Sequence, residues 1–451
     1  MATKKLSPDG IIRRLDEHLV LRRATPQDTE KLVEFNARVH SDDGWEQPFE
    51  PVGTWVRDLM TKEHPTFLPE LFTIVEDTRT GEIVSSLNTI PQTWTYAGIP
   101  IEVGRPELVG THPDYRNRGL IRAQFEEIHR WGAARGELMQ VITGIPYYYR
   151  LFGYEMTVNL SGGRTGYTAN LPKLAEGENE PFRIRPAQSA DLPFIRQVYD
   201  HGAGRSLLSC QRDAAIWEYE LHGHAPTSVN RRALQIIARA EDGEPVGFIG
   251  HPPVLWGSSQ AITEYELKPG VSWLGATPTV IRYAFQTGQE HNQSGDKPCE
   301  AYTFTLGAEH PAYEAALDLL PRQYQAYAYY IRVPDLGAFL HRIRPVLEAR
   351  LAASIAPAYS GELKISFYVQ GLRLAFERGR LAAIEKWQPA PHGQSGDAVF
   401  PGLTFLQLIF GYRSLEELKF AFPDVIQRGD AARVLLNALF PKKNSCVWPV
   451  N

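Results

Sequence analysis

Arginines crowd around a single glycine in the stretch HPDYRNRGLIRAQF, which runs from His112 to Phe125. A proline interrupts the preceding strand pattern, and an apolar pattern typical of a helix begins directly after Gly119. The first backbone N–H groups of a helix have no partner inside the helix, and the helix dipole attracts an anion there. Glycine lets the backbone approach a ligand closely, and Arg116, Arg118 and Arg122 add positive charge. We therefore expect this turn to bind an anion such as a diphosphate.

The elements that must position this turn are a strand before it and a helix after it. The segment PELVGTH, from Pro106 to His112, has the pattern of a strand that leads into the turn. A helix is predicted from about Leu120 to Arg135, because Ile121, Phe125 and Ile128 follow one another at i, i+4 and i+7. A second strand, ELMQVIT, and the aromatic segment GIPYYYRLFGYEM come next.

The composition limits the classes of protein to which the chain can belong. A chain of 451 residues is too long to fold around a single hydrophobic core, so about two to four domains are expected. A formal net charge of −5 argues against a nucleic-acid binder that works through a broad basic surface. The three cysteines lie far apart and do not have the spacing of metal ligands. This sparse, odd number is typical of a protein in the reducing cytoplasm, where cysteines serve as small buried side chains. The opening MATKKLSPDGIIRR has no signal-peptide core, and no apolar run is long enough for a membrane helix. We therefore expect a cytoplasmic protein with no metal and no membrane partner.

An internal repeat indicates two similar domains. The segment LRRATPQDTEKLVEFN, residues 21–36, resembles IRPAQSADLPFIRQVY, residues 184–199, and each copy has the pattern of a strand, a capped turn and a helix. Both copies continue with a hairpin and then a helix between strands. From Asp335 the pattern changes to a long amphipathic helix, alternating strands and further helices, which indicates an α+β domain. We therefore predict an α/β fold with mixed sheets and three domains, at residues 1–165, 166–334 and 335–451.

The order of strand, PDYRNRG, helix, strand and YYRLFGYE resembles the Gcn5-related N-acetyltransferases, the GNAT family. In that family an R-x-x-G-x-G/A loop binds the pyrophosphate of acetyl-CoA, and here Arg116, Gly119 and Ile121 occupy the marked positions. Ile121 departs from the small residue of the family pattern, which the loop tolerates if this side chain points away from the cofactor. The resemblance implies that the phosphates are held by the backbone N–H groups of Arg118, Gly119, Leu120, Ile121 and Arg122.

The resemblance also implies a role for the strand that precedes the loop. In the family this strand splays from the next one, and the pantetheine arm of acetyl-CoA lies in the gap like an additional strand. By position, the expected backbone contacts are Leu108, Val109 and Thr111. A backbone N–H there would also stabilise the oxyanion that develops on the thioester.

Acetyl transfer to an amine moves two protons, because the attacking ammonium loses one and the leaving thiolate gains one. Tyr149 precedes Phe152 by three residues, which matches the position of the family's general-acid tyrosine; the alternative is a core aromatic. Glu107 lies on the strand before the loop, where many family members carry a catalytic glutamate. Glu107 is therefore a candidate for the general base. The alternatives are that Glu107 only forms an ion pair with Arg105, and that the substrate loses its proton through water.

The whole chain resembles the Eis-type aminoglycoside acetyltransferases, which have two acetyltransferase-like domains followed by a sterol-carrier-like α+β domain. In that group only the first domain keeps the cofactor loop, and the second copy here likewise has no R-x-x-G-x before its helix. The second domain is therefore expected to shape the substrate pocket. The resemblance implies that the C-terminal carboxylate, here that of Asn451, helps to deprotonate the substrate, although the ending CVWPVN lacks the group's aromatic residue. The group forms oligomers, so a homo-oligomer is expected.

An acidic segment, HSDDGWE, follows the first predicted helix, where the GNAT fold shapes its acceptor site. Asp42, Asp43 and Glu46 could attract a polycationic amine, and Trp45 could stack on a sugar or an alkyl ammonium. The alternative is a solvated acidic loop without a ligand.

These features favour an acetyl-CoA-dependent N-acetyltransferase that acts on a primary amine of a small polyamine or aminoglycoside-like molecule. Attack would be direct, in a ternary complex, because no cysteine or serine is placed as a nucleophile. A lysine side chain of a protein is an alternative acceptor. A different class of function, a non-catalytic carrier of lipid or acyl-CoA, would follow from the sterol-carrier-like domain, but such a carrier needs neither the arginine-rich loop nor Tyr149.

Overall fold

The computed structural model describes residues 10–292, 298–390 and 395–451. Residues 1–9, on which the expectation of no signal peptide largely depends, lie outside this part of the chain. The strands are β1 (Ile11–Arg14), β2 (Leu19–Arg23), β3 (Phe72–Asp77), β4 (Glu82–Tyr96), β5 (Ile99–Thr111), β6 (Met139–Thr143), β7 (Glu155–Leu160), β8 (Gly163–Tyr167), β9 (Phe182–Pro186), β10 (Leu208–Cys210), β11 (Ala233–Arg239), β12 (Pro245–His251), β13 (Ser259–Ile262), β14 (Glu264–Leu267), β15 (Ala301–Phe304), β16 (Arg322–Tyr324), β17 (Tyr327–Arg332), β18 (Gly361–Ser366), β19 (Gly371–Glu377), β20 (Arg380–Trp387), β21 (Ala398–Val399) and β22 (Ile426–Gln427). The helices are α1 (Thr29–Val39), α2 (Glu50–Thr61), α3 (Leu120–Arg135), α4 (Leu192–Ala203), α5 (Ala214–Glu218), α6 (Trp273–Asn292), α7 (Pro311–Ala315), α8 (Leu336–Ala352), α9 (Thr404–Ile409), α10 (Leu415–Ala421) and α11 (Gly429–Leu439). The fold is therefore the mixed α/β architecture that the sequence predicts.

The largest sheet carries the arginine-rich turn at one of its strand ends. Its strands lie in the order β1-β2-β3-β4-β5-β6-β17-β7, and β10 pairs with β4 at the margin. Neighbouring strands are antiparallel except β5 and β6, which are parallel and pair only at Val103–Met139 and Gly104–Gln140. Beyond that point the two strands separate, so the sheet opens on the side where β5 runs into the turn.

One strand from each half of the chain belongs to the other half's sheet. Strand β17, which the sequence repeat assigns to the second copy, lies between β6 and β7 and pairs antiparallel with both. In return β8 pairs with β15 and β16 in a sheet of the second half. The predicted boundary at residue 165 falls inside β8. The sequence does not reveal this exchange of strands, because strand pairing depends on long-range contacts that local sequence patterns do not encode.

The two repeat copies close their first turn in the same way. In the first copy Arg22 Nη2 lies 2.7 Å from Asp28 Oδ1, and in the second copy Arg185 Nη2 lies 2.8 Å from Asp191 Oδ1. Each aspartate also accepts a backbone N–H from the residue three positions before it. This shared ion pair orients the helix that follows, α1 or α4, against its own sheet.

The remaining sheets complete the second half and the region after Asp335. One sheet has the order β14-β12-β11-β9, another β13-β15-β8-β16, and the last, β20-β19-β18-β21-β22, carries α8 to α11 around it. The largest hydrophobic cluster joins this last sheet to the first one, and Tyr96 there donates a hydrogen bond to the Ile409 carbonyl over 2.8 Å. None of the helices in the described ranges is long and apolar enough to cross a membrane.

Candidate active site

The arginine-rich turn has the geometry of a helix entry with an exposed backbone. A single 3₁₀ turn at Pro113–Tyr115 follows β5, and Asn117 and Gly119 both adopt positive φ angles, +62° and +73°. A Cβ atom on Gly119 would meet nothing within 4 Å, so backbone conformation alone favours glycine there. Helix α3 then begins at Leu120 and ends at Arg135, the bounds predicted from its apolar spacing.

The backbone N–H groups that lead into α3 differ from those earlier in the turn, where Tyr115 and Arg116 donate to the carbonyls of His112 and Pro113. Within the described residues, none of those from Asn117 to Arg122 donates a hydrogen bond, whereas Ala123 already donates to the Gly119 carbonyl over 3.0 Å. The Arg116, Arg118 and Arg122 side chains are exposed and form no ion pair with a described carboxylate. Free N–H groups and unpaired guanidinium groups at a helix N-terminus form an anion-binding site.

A cavity of about 570 Å³ lies directly beside this turn. Its lining includes these residues predicted to bind the cofactor: Val109, Thr111, Arg116, Arg118, Gly119, Leu120, Ile121 and Arg122. Tyr149 also lines it. The Leu108 side chain is instead buried in the core, and Ile121 packs partly on the same core cluster.

Strand β5 is deformed where it passes the cavity. Leu108 has a φ of +54°, and the pairing with β4 shifts register between Ser86 and Asn88, which marks a β-bulge. The bulge coincides with the opening between β5 and β6. An extended ligand can therefore lie along β5, with its anionic end at the free N–H groups of the turn, and the residues present fit a diphosphate joined to an extended arm.

Tyr149 projects from a short 3₁₀ helix, Tyr148–Phe152, at the far side of the cavity. A Cβ atom on Gly144 would lie 2.8 Å from the Tyr149 ring, so the chain needs glycine at this close approach. Burial, and then the nearby Glu107 carboxylate, raise the pKa of Tyr149 well above its usual range. Its hydroxyl has no hydrogen-bond partner in the described part of the chain, and it is protonated at neutral pH.

Glu107 is held by two neighbours on the first sheet. Its Oε1 lies 2.7 Å from Arg105 Nη2 and accepts a hydrogen bond from the Thr143 hydroxyl over 3.3 Å. Burial raises the pKa of Glu107, while Arg105 acts in the opposite direction. The ion pair with Arg105 is thus present, and the same carboxylate lies close enough to Tyr149 to raise its pKa.

Asn451 lies beside this ion pair. Arg105 Nη1 donates to Asn451 Oδ1 over 2.5 Å and to the Val450 carbonyl over 3.0 Å. His64 Nδ1 accepts backbone N–H groups, so His64 Nε2 is the donor to the Asn451 backbone oxygen, 3.3 Å away. Burial lowers the pKa of His64 to about 4, which keeps the ring neutral at pH 7.

A buried polar cluster next to His64 is absent from the sequence-based site. Tyr219 and His224, from the second half, pack ring against ring at 4.8 Å, and Tyr219 lies 4.5 Å from the His64 ring. Tyr219, Glu220 and His224 are at most 5% exposed, and each has a buried polar atom without a partner among the residues described. Such atoms are costly unless a ligand or water satisfies them. The titratable residues of YELHGHAP, Tyr219–Pro226, are the signal that could have revealed the cluster.

The acidic loop lies next to the turn but outside the lining of the cavity. Asp42, Asp43 and Glu46 are exposed between α1 and α2 and are not among the residues that line the cavity. Trp45 packs edge-on against His112, with ring centroids 4.3 Å apart, on the outer side of the turn. The structure therefore brings together the turn, β5 and Tyr149 around one cavity, whose lining does not include Asp42, Asp43, Trp45 or Glu46.

Comparisons with known proteins agree with this geometry. Residues 21–157 match a family model described as an acetyltransferase (GNAT) domain. No curated protein sequence matches the chain.

Three solved structures share the fold over nearly the whole chain. A probable N-acyltransferase from Enterococcus faecalis V583 superposes with a TM-score of 0.62 at 16% identity, over 95% of this chain and 97% of that one. A GCN5-related N-acetyltransferase from Kribbella flavida gives 0.59 at 16% identity, over 96% and 98%. Eis1 from Mycobacterium abscessus gives 0.55 at 13% identity, over 95% and 99%. At these identities the likeness establishes the fold, and the family match adds that residues 21–157 are an acetyltransferase domain of the GNAT family.

Proposed function

We propose that this chain transfers an acetyl group from acetyl-CoA to a primary amine of a small polycationic molecule, such as a polyamine or an aminoglycoside-like compound. The observation that supports it most is the single cavity into which free N–H groups, unpaired arginines and a protonated tyrosine all open. A homo-oligomeric state and a cytoplasmic location remain predictions from the resemblance and the composition.

The arginine-rich turn would hold the diphosphate of acetyl-CoA. Backbone N–H groups from Arg118 to Arg122 would donate to the phosphate oxygens, and the three arginines would add charge. The backbone of Val109 and Thr111 would contact the pantetheine arm along β5. Bound in this way, acetyl-CoA supplies an acetyl thioester near the β-bulge at Leu108.

Tyr149 would act as the general acid. The amine nitrogen forms a bond to the thioester carbonyl carbon while the carbon–sulfur bond breaks, and Tyr149 gives its proton to the leaving sulfur. Solvent then reprotonates Tyr149. The backbone N–H next to the bulge would stabilise the charge that develops on the carbonyl oxygen.

The proton of the attacking ammonium would leave toward Glu107, directly or through water. Arg105 holds both the Glu107 carboxylate and the Asn451 side chain in place. Glu107 and Asn451 would therefore face the acceptor amine together. The unsatisfied atoms of Tyr219, Glu220 and His224 would hold the rest of the acceptor, because a carboxylate and neutral polar groups match ammonium and hydroxyl substituents.

The test is release of free thiol from acetyl-CoA, measured with a panel of diamines, polyamines, aminoglycosides and a lysine peptide. We expect thiol release with at least one small polycationic amine and product acetylated on nitrogen. Turnover with the lysine peptide alone would favour a protein acceptor, and binding of acetyl-CoA without turnover on any amine would favour the carrier.

A further inference from the structure

A second cavity, remote from the turn, lies where the second half of the chain meets residues 444–447. Its volume is about 320 Å³, within the size range of small-molecule sites. The end of α4, the turn before α7, strands β10 and β14, and one residue of β7, Asn159, also contribute to its walls. None of the residues assigned above to acetyl transfer lines it.

The charged groups of this cavity are mainly acidic. Three carboxylates, those of Glu266, Glu309 and Glu314, face a single guanidinium, that of Arg205. Arg205 is already paired with Glu266 Oε1, and burial lowers the pKa of His310, which leaves that ring neutral at pH 7. The lining therefore carries a net negative charge that favours a cation.

Polar atoms of two residues that line the cavity, Asn159 and Glu266, have no hydrogen-bond partner in the described part of the chain. Asn159 is 8% exposed and borders the cavity, yet its side-chain amide makes no hydrogen bond to any residue of the described ranges. The second carboxylate oxygen of Glu266, Oε2, is buried and likewise has no partner there. Buried acceptors without partners are stabilised when a ligand donates hydrogen bonds to them.

We infer that this cavity binds a small primary ammonium compound. An –NH₃⁺ group can donate a hydrogen bond to the Asn159 amide oxygen, and its positive charge suits a cavity that the Glu266 carboxylate also lines. Glu309 and Glu314, exposed at the cavity, suit a second ammonium group on the same molecule.

The site is also joined to the acetyl-transfer residues by one segment. Asn444 donates to Glu309 over 2.8 Å, and the Ser445 carbonyl accepts from Asn159 N over 3.1 Å. The same segment continues to Val450 and Asn451, which Arg105 holds. A ligand in the cavity would therefore contact residues that lead directly to the first sheet.

The test is calorimetric titration of the full chain with 1,4-diaminobutane, without acetyl-CoA. We expect Asn159→Leu, which keeps the side-chain volume, to weaken one binding event at least tenfold. Glu309→Gln should weaken the same event severalfold, and because Glu309 is exposed this variant is expected to fold. Glu241→Gln, in the exposed turn between β11 and β12, serves as the control because Glu241 lines neither this cavity nor the candidate active site.

Hydrogen exchange locates the site without a mutation. Diaminobutane should slow exchange at Asn159 and residues 444–447 of the unmodified chain, and this protection should disappear in Asn159→Leu. Titrations of Asn159→Leu and Glu309→Gln that superimpose on the unmodified chain, or protection confined to Tyr219–His224, would overturn the proposal. Binding at this cavity by a chain that acetylates no amine would refute the proposed function alone, because the titration contains no acetyl donor.

Discussion

Arg105 joins Glu107 to Asn451. One guanidinium nitrogen lies 2.7 Å from the Glu107 carboxylate and the other lies 2.5 Å from the Asn451 side-chain oxygen. The two partners come from distant parts of the chain, and Arg105 itself is only 4% exposed. The acceptor side of the candidate site therefore depends on one buried cation.

Replacing Arg105 with methionine should move the acidic limb of the pH profile of kcat/KM upward. Burial already raises the pKa of Glu107, and loss of the neighbouring positive charge raises it further. A carboxylate that must be ionised then becomes active only at higher pH, and we expect a shift of about one pH unit. Exposed Arg130→Met is the control, and an unmoved limb would exclude Glu107 as the group that titrates.

Tyr149→Phe should lower kcat by about 10²–10⁴-fold, because the leaving sulfur loses its proton donor. The affinity for acetyl-CoA, measured by calorimetry, should stay near that of the unmodified chain. Tyr147→Phe is a matched control, since Tyr147 is a close neighbour with 63% exposure. Equal kcat values for the two variants would contradict the general-acid assignment.

Gly119→Val should weaken acetyl-CoA binding at least about tenfold. Valine at positive φ costs on the order of 1–3 kcal/mol, and relief of this strain displaces the free N–H groups of the turn. Gly243 has a φ of +75° and, like Gly119, open space around a Cβ atom, so Gly243→Val bears the same strain in a distant hairpin. If both variants bind acetyl-CoA as the unmodified chain does, the turn is not the diphosphate site.

Glu220→Gln should raise KM for the amine about tenfold and leave the affinity for acetyl-CoA unchanged. The amide keeps the size of the side chain but removes the buried negative charge that would attract an ammonium. Glu218→Gln, on the exposed face of the preceding turn, provides the comparison. A change in the acetyl-CoA affinity instead would place Glu220 on the cofactor side.

The repeated ion pair offers a matched stability test. Asp28→Asn should lower stability by about 3 kcal/mol, since it breaks a buried pair, whereas Asp191→Asn should cost ~1 kcal/mol or less because Arg185 is more exposed. Although burial acts against it, hydrogen bonds from Arg22 and Thr25 lower the pKa of Asp28 overall. The stability that the Asp28 carboxylate contributes is therefore complete above the ordinary aspartate pKa. It is lost as the pH falls through the lowered pKa of the folded protein. Thermal midpoints of the two variants should differ at pH 7, and this difference should shrink as the pH is lowered below the ordinary aspartate pKa.

Local patterns predicted the elements around the turn well. Helix α3 has the predicted bounds because its apolar spacing and Gly136 are local signals. The position of β17 in the first sheet and the packing of Tyr219 against His64 were not predicted, since both depend on contacts between residues more than a hundred positions apart. For the acidic residues of HSDDGWE the sequence shows the charge but not the direction of the side chains, and their role in acceptor binding stays a prediction.

The exchange of β8 and β17 has a consequence for synthesis on the ribosome. The gap between β6 and β7 can be filled only after Tyr327–Arg332 has left the exit tunnel, so the first half waits with two unpaired strand edges while the second half is made. A gene fragment that ends before residue 327 would therefore yield a chain with exposed β edges. The sheet that carries the candidate active site is thus completed by a strand from the second half of the chain.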